Sequence, residues 1–421
     1  MMGYLKKLLF IFVFIIIPTL HAIPIIDSSD LNGYKELYGP WAFTPGIINS
    51  ISDPRLHNQS VKLPIFIEKI LGKSQGEATF ALYLKTTPNI PLTINLKHPF
   101  SVWRLYVNSH LIASSGKVGT SSQDHKAEVS HNIISFTPTS NMTLLMVQVA
   151  NSQHEHIGFY GVPTIAPEGV LEQQHINAFT LEAIITVLLL LVGLYHIGLF
   201  TAWKRDKATL WFGLMCIAVA LRMSTTGEQI LVDIFPNISW ELLLRLDYAS
   251  GCVSLPLFVW YLDSLYPKQI WKSAKYIYLF LGGIFLALCT LFPTLFFTPY
   301  LFSYELIYLT FILYTLVVLY ISLKAHESGS VLAFLTFIIL SLSIIHDFLR
   351  FDNFLPNTTD LAPYGFVFYL MAQSTILLLR YANAFHIIEK HTDNLEALVS
   401  ERTKELTTLV SQRELLLREL T

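Results

Sequence analysis

Five side chains in the first 175 residues have the chemistry of a small-molecule site: Trp41, Trp103, Arg104, Asn108 and Asn151. Indole rings stack on the C–H surfaces of sugars, while guanidinium and amide groups hydrogen-bond to hydroxyls. A structural role is the alternative, because Trp103 lies in an alternating apolar segment and the two asparagines suit turns. We therefore treat the five as candidate ligand-binding residues.

Two histidines, His154 and His156, would share one face of a strand and could bind a metal ion there. No third ligand is evident, so an ordinary polar loop is the favoured interpretation. The three cysteines, Cys216, Cys252 and Cys289, fall in the apolar middle of the chain and have no zinc spacing. We expect no metal, no cofactor and no catalytic residue.

A second group of polar residues interrupts apolar segments: Arg222, Arg245, Asp247, His346 and Asp347. Ionisable groups at membrane depth are costly, so each is a candidate for pairing inside a helix bundle. Arg222 would leave one span and Asp247 would enter the next on the same side, so a direct ion pair is expected. Interfacial placement is the alternative for Arg245, which lies near a predicted helix end. The five form a candidate polar switch in the membrane.

The elements that must position these residues are largely apolar. Only 14% of the residues are charged, against roughly 25% in soluble domains, and 53% are hydrophobic. This composition argues against a cytoplasmic enzyme, and the net charge of −2 argues against a nucleic-acid-binding surface. Apolar runs long enough to cross a bilayer as helices number seven, at residues 181–203, 208–226, 242–263, 275–296, 301–323, 330–350 and 361–381.

Two features predict the topology. Residues 1–22 begin with Lys6 and Lys7, continue through an apolar run and end at Ala22, which indicates a signal peptide; an uncleaved anchor helix is the alternative. Lys and Arg concentrate in the first, third and fifth loops between the apolar runs, which the positive-inside rule places in the cytoplasm. We therefore predict a multi-pass protein of the plasma membrane, with residues 23–175 outside and the C-terminus in the cytoplasm.

Residues 23–175 contain short alternating runs, such as 78–84, 102–107 and 143–149, separated by Pro, Gly, Asn and Ser. This spacing predicts a β-sandwich, or jelly roll, as the extracytoplasmic domain. An all-α seven-helix transmembrane domain is predicted over residues 176–385. A cytoplasmic coiled-coil helix is predicted over residues 386–421.

The predicted coiled coil rests on apolar residues spaced alternately by three and four positions. Its seam comprises Leu395, Val399, Arg402, Leu406, Leu409, Arg413, Leu416 and Leu420. Such heptads predict a two-stranded coiled coil and hence a homodimer. The two seam arginines weaken the dimer, which suits a switch more than a rigid stalk. A lone amphipathic helix on the membrane surface is the alternative.

The strings WRLYVNSHLIASSGKVG (103–119) and LMVQVANSQHEHIGFYG (145–161) resemble galactose-binding-like jelly rolls, although Ser109 stands where those domains usually have glycine. The helical strings SLSIIHDFLRFDN (341–353) and YGFVFYLMAQSTILLLRYANAFHIIE (364–389), with the tail LEALVSERTKELTTLV (395–410), complete the resemblance. Together they resemble bacterial seven-transmembrane receptors with diverse intracellular signalling modules.

This resemblance implies a receptor for signal transduction in the bacterial inner membrane. It would bind a small periplasmic ligand, carbohydrate in class, and relay binding through seven helices to a dimeric coiled coil. Its partners would be that ligand, the lipid bilayer, a second copy and a separate cytoplasmic kinase or other output protein.

The tail also resembles the linker before sensor histidine kinases of two-component systems, so the sensor part of a truncated or split kinase is the alternative. A transporter is less favoured because no two halves repeat. No catalytic output domain is evident, so we expect no enzyme activity.

Overall fold

A computed structural model describes residues 23–48, 53–57, 59–96, 102–116, 127–129, 133–202, 204, 206–351, 355 and 359–419. The proposed signal peptide and Leu420 of the predicted seam lie outside the described residues. The first part of the described chain consists mainly of strands and the second of helices.

Short strands fill the chain up to residue 167. They are β1 Ile25–Asp27, β2 Lys35–Glu36, β3 Pro40–Pro45, β4 Gln59–Lys62, β5 Ile65–Phe66, β6 Gly76–Lys85, β7 Leu92–Asn95, β8 Val102–Val107, β9 His110–Ser115, β10 Ile133–Phe136, β11 Met142–Asn151, β12 Gly158–Phe159 and β13 Thr164–Pro167. A 3₁₀ turn at Pro54–His57 and a short helix at Glu68–Leu71 interrupt them.

Two mainly antiparallel sheets share one hydrophobic core. The first has the order β4-β3-β6-β11-β8-β9, with β1 parallel to β6, and the second has the order β10-β7-β13-β2. Alternate residues of β6, such as Phe80 and Leu82, meet Ile94 and Ile165 of the second sheet in that core. Because the side chains of a strand alternate between its faces, the alternating runs fold into a sandwich, as predicted.

The β8–β9 hairpin turns at Asn108 and Ser109, the position where related jelly rolls usually have glycine. Both residues have a positive φ, 48° and 69°, as a tight two-residue hairpin turn requires. Asparagine tolerates this conformation better than serine does. Asn108 Oδ1 also accepts a hydrogen bond of 2.8 Å from the backbone N–H of Leu144, which fixes the turn to β11.

Seven long apolar helices follow the sandwich, as predicted. They are α1 Val170–Ala202, α2 Lys207–Thr225, α3 Trp240–Leu265, α4 Ala274–Leu291, α5 Leu301–Lys324, α6 Ser330–Phe351 and α7 Ala362–Glu419. Short helical turns occupy Ile230–Ile234, Thr294–Phe297 and Thr298–Tyr300. Only two residues separate β13 from α1, so the sandwich continues almost directly into the first membrane helix.

Helix α7 is 58 residues long. At 1.5 Å per residue it extends about 87 Å, nearly three times the thickness of the hydrocarbon core. The last predicted span and most of the predicted tail therefore form one continuous helix.

The seven helices pack in two rows. Helices α1 to α4 lie side by side in chain order, and α5, α6 and α7 form the second row. Phe258 of α3 joins the rows, because its ring contacts those of Phe311, Phe337 and Tyr369 at centroid distances of 5.2, 5.5 and 5.5 Å. We call the end of the bundle next to the sandwich the sandwich side and the opposite end the tail side.

Candidate functional site

The two tryptophans proposed to bind ligand lie in the sandwich core. Trp41 is fully buried and donates a hydrogen bond of 3.2 Å from Nε1 to the carbonyl of Leu37. Trp103 is 3% exposed and packs in the same core. Neither ring is accessible to a ligand in this structure, because both side chains are buried.

The other three candidates have different structural roles. Asn108 forms the β8–β9 turn, and Asn151 is buried at the end of β11. Arg104 is partly exposed on the outer face of β8, opposite Ser114 of β9 and two positions from the partly exposed Tyr106. Arg104 and Asn108 are both partly exposed, and Asn108 is used by the turn, so Arg104 is the remaining candidate. The prediction of a ligand site in the sandwich stays a prediction.

A loop after β11, residues 152–157, connects the sandwich with the helices. Asn151 organises this loop: its Nδ2 donates to the carbonyls of Ser74 (3.0 Å) and His154 (2.6 Å), and its Oδ1 accepts from the N–H groups of Gln153 and His154 (both 3.1 Å). Its Nδ2 also donates to the carbonyl of His156 (3.3 Å), so this buried amide is fully satisfied and holds the loop in place.

This loop contacts the sandwich-side ends of two membrane segments. The backbone N–H of Glu155 donates to Thr298 Oγ1, just before α5, at 3.1 Å. The ring of His154 meets that of Trp240, the first residue of α3, edge-on with a centroid distance of 6.4 Å. A shift of this loop would therefore act on two helix ends.

Titratable side chains surround the loop. His156 stacks on Phe66 and its Nδ1 lies 3.0 Å from Glu68 Oε1. Burial alone would raise the pKa of Glu68, but the hydrogen bond and charge of His156, with backbone N–H groups, leave that pKa below its usual value. Burial lowers the pKa of His154 to about 3, and burial raises the pKa of Glu155.

The two histidines do not complete a metal site. Among the described residues, no group of three His, Cys, Asp or Glu side chains is placed to hold an ion.

A second contact joins the sandwich to the bundle through Tyr160. The Nη1 group of Arg350, near the end of α6, donates to the Tyr160 hydroxyl (2.5 Å) and to Asp360 Oδ1 (2.5 Å). The guanidinium also lies 5.0 Å from the centre of the Tyr160 ring, a cation–π distance. Burial raises the pKa of Asp360, although the positive charge of Arg350 acts in the opposite direction.

The start of α7 is fixed beside this contact. Both oxygens of the Asp347 carboxylate accept hydrogen bonds of 2.8 Å, from the N–H groups of Leu361 and Ala362. A carboxylate at this position satisfies free N–H groups and matches the positive end of the helix dipole. His346 Nδ1 lies 2.8 Å from the same carboxylate. The structure thus brings together His346 and Asp347 of the predicted polar group.

The expected pairing of Arg222 with Asp247 is present. Arg222 Nη1 lies 3.0 Å from Asp247 Oδ1 and donates to the Asp247 carbonyl at 3.2 Å. Arg245 lies apart from this pair: it contacts Glu241 at 2.7 Å, the carbonyl of Phe292 at 2.8 Å and the carbonyl of Cys289. Arg245 therefore fastens the start of α3 to the end of α4, and a switching role of these residues stays a prediction.

The seam residues that the structure describes lie along α7. Leu395, Val399, Leu406 and Leu409 are 61%, 63%, 62% and 55% exposed in the single chain. Leu416 lies within α7 by its backbone. Such a row of exposed leucines and valine is compatible with contact to another helix.

Sequence analysis missed the residues of the junction, namely Tyr160, Glu155, Thr298 and Asp360. Their partners lie between 10 and 190 positions away in the chain. No local spacing could indicate such contacts.

Comparison with known proteins identifies the helical part. Residues 179–380 match the family described as 7TM diverse intracellular signalling. No curated protein matches the chain.

Among solved structures, the GH2 β-galacturonidase of Eisenbergiella tayi bound to galacturonate aligns with 12% identity and a TM-score of 0.24 over 32% of this chain and 24% of its own. The β-glucosidase of Kluyveromyces marxianus in complex with glucose aligns with 12% identity and a TM-score of 0.22 over 34% and 18%. The chain thus spans a quarter or less of the length of these enzymes. Its helical part, residues 179–380, belongs to the 7TM diverse intracellular signalling family.

Proposed function

We propose that this protein is a sensory receptor whose sandwich binds a small ligand, carbohydrate in class, outside the cytoplasm. The seven helices relay that binding to a cytoplasmic coiled coil formed by two copies of the tail. The membrane signalling module at residues 179–380 supports a relay rather than a transport pathway.

The accessible outer face of β8 and β9 is the surface we assign to the ligand. Arg104 and Tyr106 project from the same face of β8, and Ser114 and Leu111 lie opposite them on β9. A guanidinium beside an aromatic ring can hydrogen-bond to sugar hydroxyls while the ring stacks on the sugar face.

The Tyr160–Arg350–Asp360 contact is the observation that carries the relay. Tyr160 belongs to the sandwich, Arg350 ends α6, and Asp360 precedes α7. Asp347, one turn from Arg350, holds the first N–H groups of α7, and that helix continues without a break into the tail. Movement of the sandwich would therefore reach the tail through a single helix.

The output of this relay is a change in how two tails pack. The exposed seam offers a surface to a second copy, and the resulting dimer would control a separate cytoplasmic kinase or other output protein. A sensor part of a split histidine kinase would use the same relay.

Disulfide cross-linking of the tail tests this proposal. Leu406→Cys in the full chain should cross-link between copies in membranes, and Thr408→Cys, on the opposite side of the helix, should cross-link far less. The native cysteines are buried and should contribute little. Absence of any cross-link at Leu406→Cys would contradict the dimer.

Breaking the junction should change how the two tails pack. Arg350→Gln loses the cation–π contact with Tyr160 and the ion pair with Asp360, so we expect at least a twofold change in the cross-linking rate at Leu406→Cys. Arg55→Gln is the matched control, because Arg55 pairs only with Asp53 on the sandwich surface among the described residues. Identical rates in both variants and the parent protein would disprove coupling through Tyr160.

A further inference from the structure

The sandwich-side half of the bundle contains a polar recess formed by Arg222, Asp247, Gly251, Ser254 and Tyr308. Arg222 lies in the last turn of α2, and Asp247 and Gly251 lie in the first half of α3. The Arg222 side chain is 42% accessible, whereas that of Asp247 is 17% accessible. An arginine this accessible within a packed bundle borders either lipid or an internal space.

The spacing along α2 places Arg222 on the helix face that turns toward the bundle interior. Met215, Val219 and Arg222 are separated by four and three positions, so they share one face of the helix. Met215 and Val219 line a cavity inside the bundle, together with Ser254, Tyr308 and aromatic side chains of α3, α5 and α6. Arg222 follows Val219 by about one turn on this face, toward the sandwich, and its guanidinium lies against Gly251, whose carbonyl accepts from the cavity-lining Tyr308.

The ion pair leaves much of its hydrogen-bonding capacity unused. Among the described residues, Arg222 hydrogen-bonds through Nη1 alone, to the backbone of Asp247, and its Nε and Nη2 groups donate to nothing. Asp247 Oδ1 is buried and makes no hydrogen bond of good geometry despite lying 3.0 Å from Arg222. A buried carboxylate normally has its hydrogen bonds satisfied, and the accessible Nε and Nη2 groups of Arg222 can donate, so this pair is suited to a ligand with both a donor and an acceptor.

Gly251 and two hydroxyls shape the recess. A Cβ atom at position 251 would lie 3.1 Å from Arg222 Nη1, so glycine leaves room for the guanidinium. The Tyr308 hydroxyl donates to the Gly251 carbonyl (2.9 Å) and lies 2.9 Å from Ser254 Oγ. These hydroxyls lie at the boundary where the charged recess meets the apolar cavity.

The cavity limits the size of an apolar group. Its volume is about 30 Å³, enough for about two waters and far below the roughly 150 Å³ that accommodates benzene. A short alkyl group fits this space, and an aromatic ring does not.

We propose that the recess binds a small zwitterionic α-amino acid with a short aliphatic side chain. Its carboxylate accepts two hydrogen bonds from Nε and Nη2 of Arg222, in the paired geometry that guanidinium favours. Its ammonium group faces the Asp247 carboxylate, and its side chain enters the cavity. A zwitterion keeps the site neutral, because the Arg222–Asp247 pair is itself neutral, whereas a simple anion or cation would add an uncompensated charge.

Bound in this way, the amino acid would touch both helix rows. Arg222 and Asp247 belong to α2 and α3, and Tyr308 belongs to α5. Ligand entry would therefore alter the spacing between the rows, which gives the receptor an input independent of the sandwich.

Binding to the full chain in lipid nanodiscs tests the proposal, by calorimetry and by thermal unfolding. L-2-Aminobutyrate should bind saturably and raise the unfolding midpoint, and glycine should bind more weakly because it leaves the cavity empty. Butyrate and propylamine, which each lack one charged group, should bind at least about tenfold more weakly than aminobutyrate. L-Phenylalanine should not bind, because its ring exceeds the cavity.

Three variants locate the site. Arg222→Lys keeps the positive charge but loses the paired hydrogen bonds, so affinity for aminobutyrate should fall about tenfold or more. Val219→Leu fills the cavity and should reduce aminobutyrate binding to the level of glycine, while glycine binding is unchanged. Arg55→Gln is the control, since Arg55 pairs with Asp53 on the sandwich surface and lies outside the recess, and the binding of this variant should equal that of the parent protein.

Three results would overturn the proposal: no saturable binding of aminobutyrate to the folded parent protein, equal binding of aminobutyrate and butyrate, or unchanged affinity in Val219→Leu. Binding that survives Arg222→Lys but is lost in Arg104→Ala would place the amino acid in the sandwich instead. The binding experiments do not decide whether the tails cross-link, so the receptor proposal is tested separately.

Discussion

At the scale of single residues, the junction between sandwich and bundle depends on buried polar side chains that hydrogen-bond to the backbone. Asn151 is the main example, because its amide makes five hydrogen bonds that hold the 152–157 loop. Its contacts are those of a turn-forming residue, the alternative to ligand binding that the sequence allowed. His154, in the same loop, is fully buried against Trp240.

Replacement of Asn151 with aspartate should destabilise the sandwich. The substitution keeps the shape and the acceptor Oδ1, but it replaces two N–H donors with an oxygen facing the carbonyls of Ser74 and His154. We expect a loss of at least about 2 kcal/mol, because buried acceptors lose their partners and face a negative charge. Thermal unfolding of the full chain measures this loss. Asn89→Asp, in an exposed turn, should change the midpoint little, and equal effects in both variants would contradict this account.

The stability of the sandwich should also fall on acidification through His154. Burial lowers the folded-state pKa of His154 to about 3, below the value of about 6.5 in an unfolded chain. The unfolded state therefore binds the proton first, so the contribution of neutral His154 is complete above about pH 6.5 and decreases as the pH falls toward 3. At pH 5 the loss is about 2 kcal/mol. Unfolding midpoints at pH 7.5 and 5.0 should differ less in His154→Asn than in the parent protein, and an unchanged difference would refute this assignment.

At the scale of elements, the membrane helices were predictable and the contacts between them were not. Runs of about 20 apolar residues fix seven helices through the cost of exposing backbone to lipid. The same runs do not indicate which faces meet, because hydrophobicity is similar all around a membrane helix. The Arg222–Asp247 pair was predictable because both lie at adjoining helix ends, whereas the Tyr160 contact joins residues 190 positions apart. The predicted stacking tryptophans are core residues because alternation predicts which strand residues share a face, but not which face is covered.

A close helix crossing between α1 and α2 provides a test at this scale. Helices α1 and α2 meet at Gly193 and Gly213, where a Cβ on Gly193 would lie 2.9 Å from the Gly213 carbonyl oxygen. Small residues allow such an approach between membrane helices. Gly193→Ala should therefore cost about 1–3 kcal/mol through overpacking. Gly198→Ala, in the same helix with open space around it, should be neutral or slightly stabilising. Thermal unfolding in detergent should separate the two variants, and equal midpoints would contradict the crossing.

At the scale of the whole molecule, one helix links the junction to the tail. Asp347 fixes the start of α7 beside the sandwich contact, and the same helix carries the exposed seam about 50 Å or more further along. A rigid helix transmits rotation or translation over this distance without requiring a chain of side-chain rearrangements. The direction of the signal depends on which side of the membrane each end occupies.

The placement of basic residues predicts that orientation. Lys204 lies in the loop after α1, and Lys207 is the first residue of α2. Lys268, Lys272 and Lys324 lie on the same tail side of the bundle. Since loops rich in Lys and Arg stay in the cytoplasm, Ser60 in the sandwich should lie outside and Ser411 in the tail should lie inside.

Labelling with a membrane-impermeant maleimide measures this orientation. We expect Ser60→Cys to react once the outer membrane is opened, with the inner membrane intact, and Ser411→Cys to react only after the inner membrane is also permeabilised. Both positions are exposed in the structure, so a difference in labelling reports the compartment rather than burial. The buried native cysteines of the parent protein provide the background. Labelling of Ser411→Cys with an intact inner membrane would reverse the topology and move the sandwich, with its proposed ligand, into the cytoplasm.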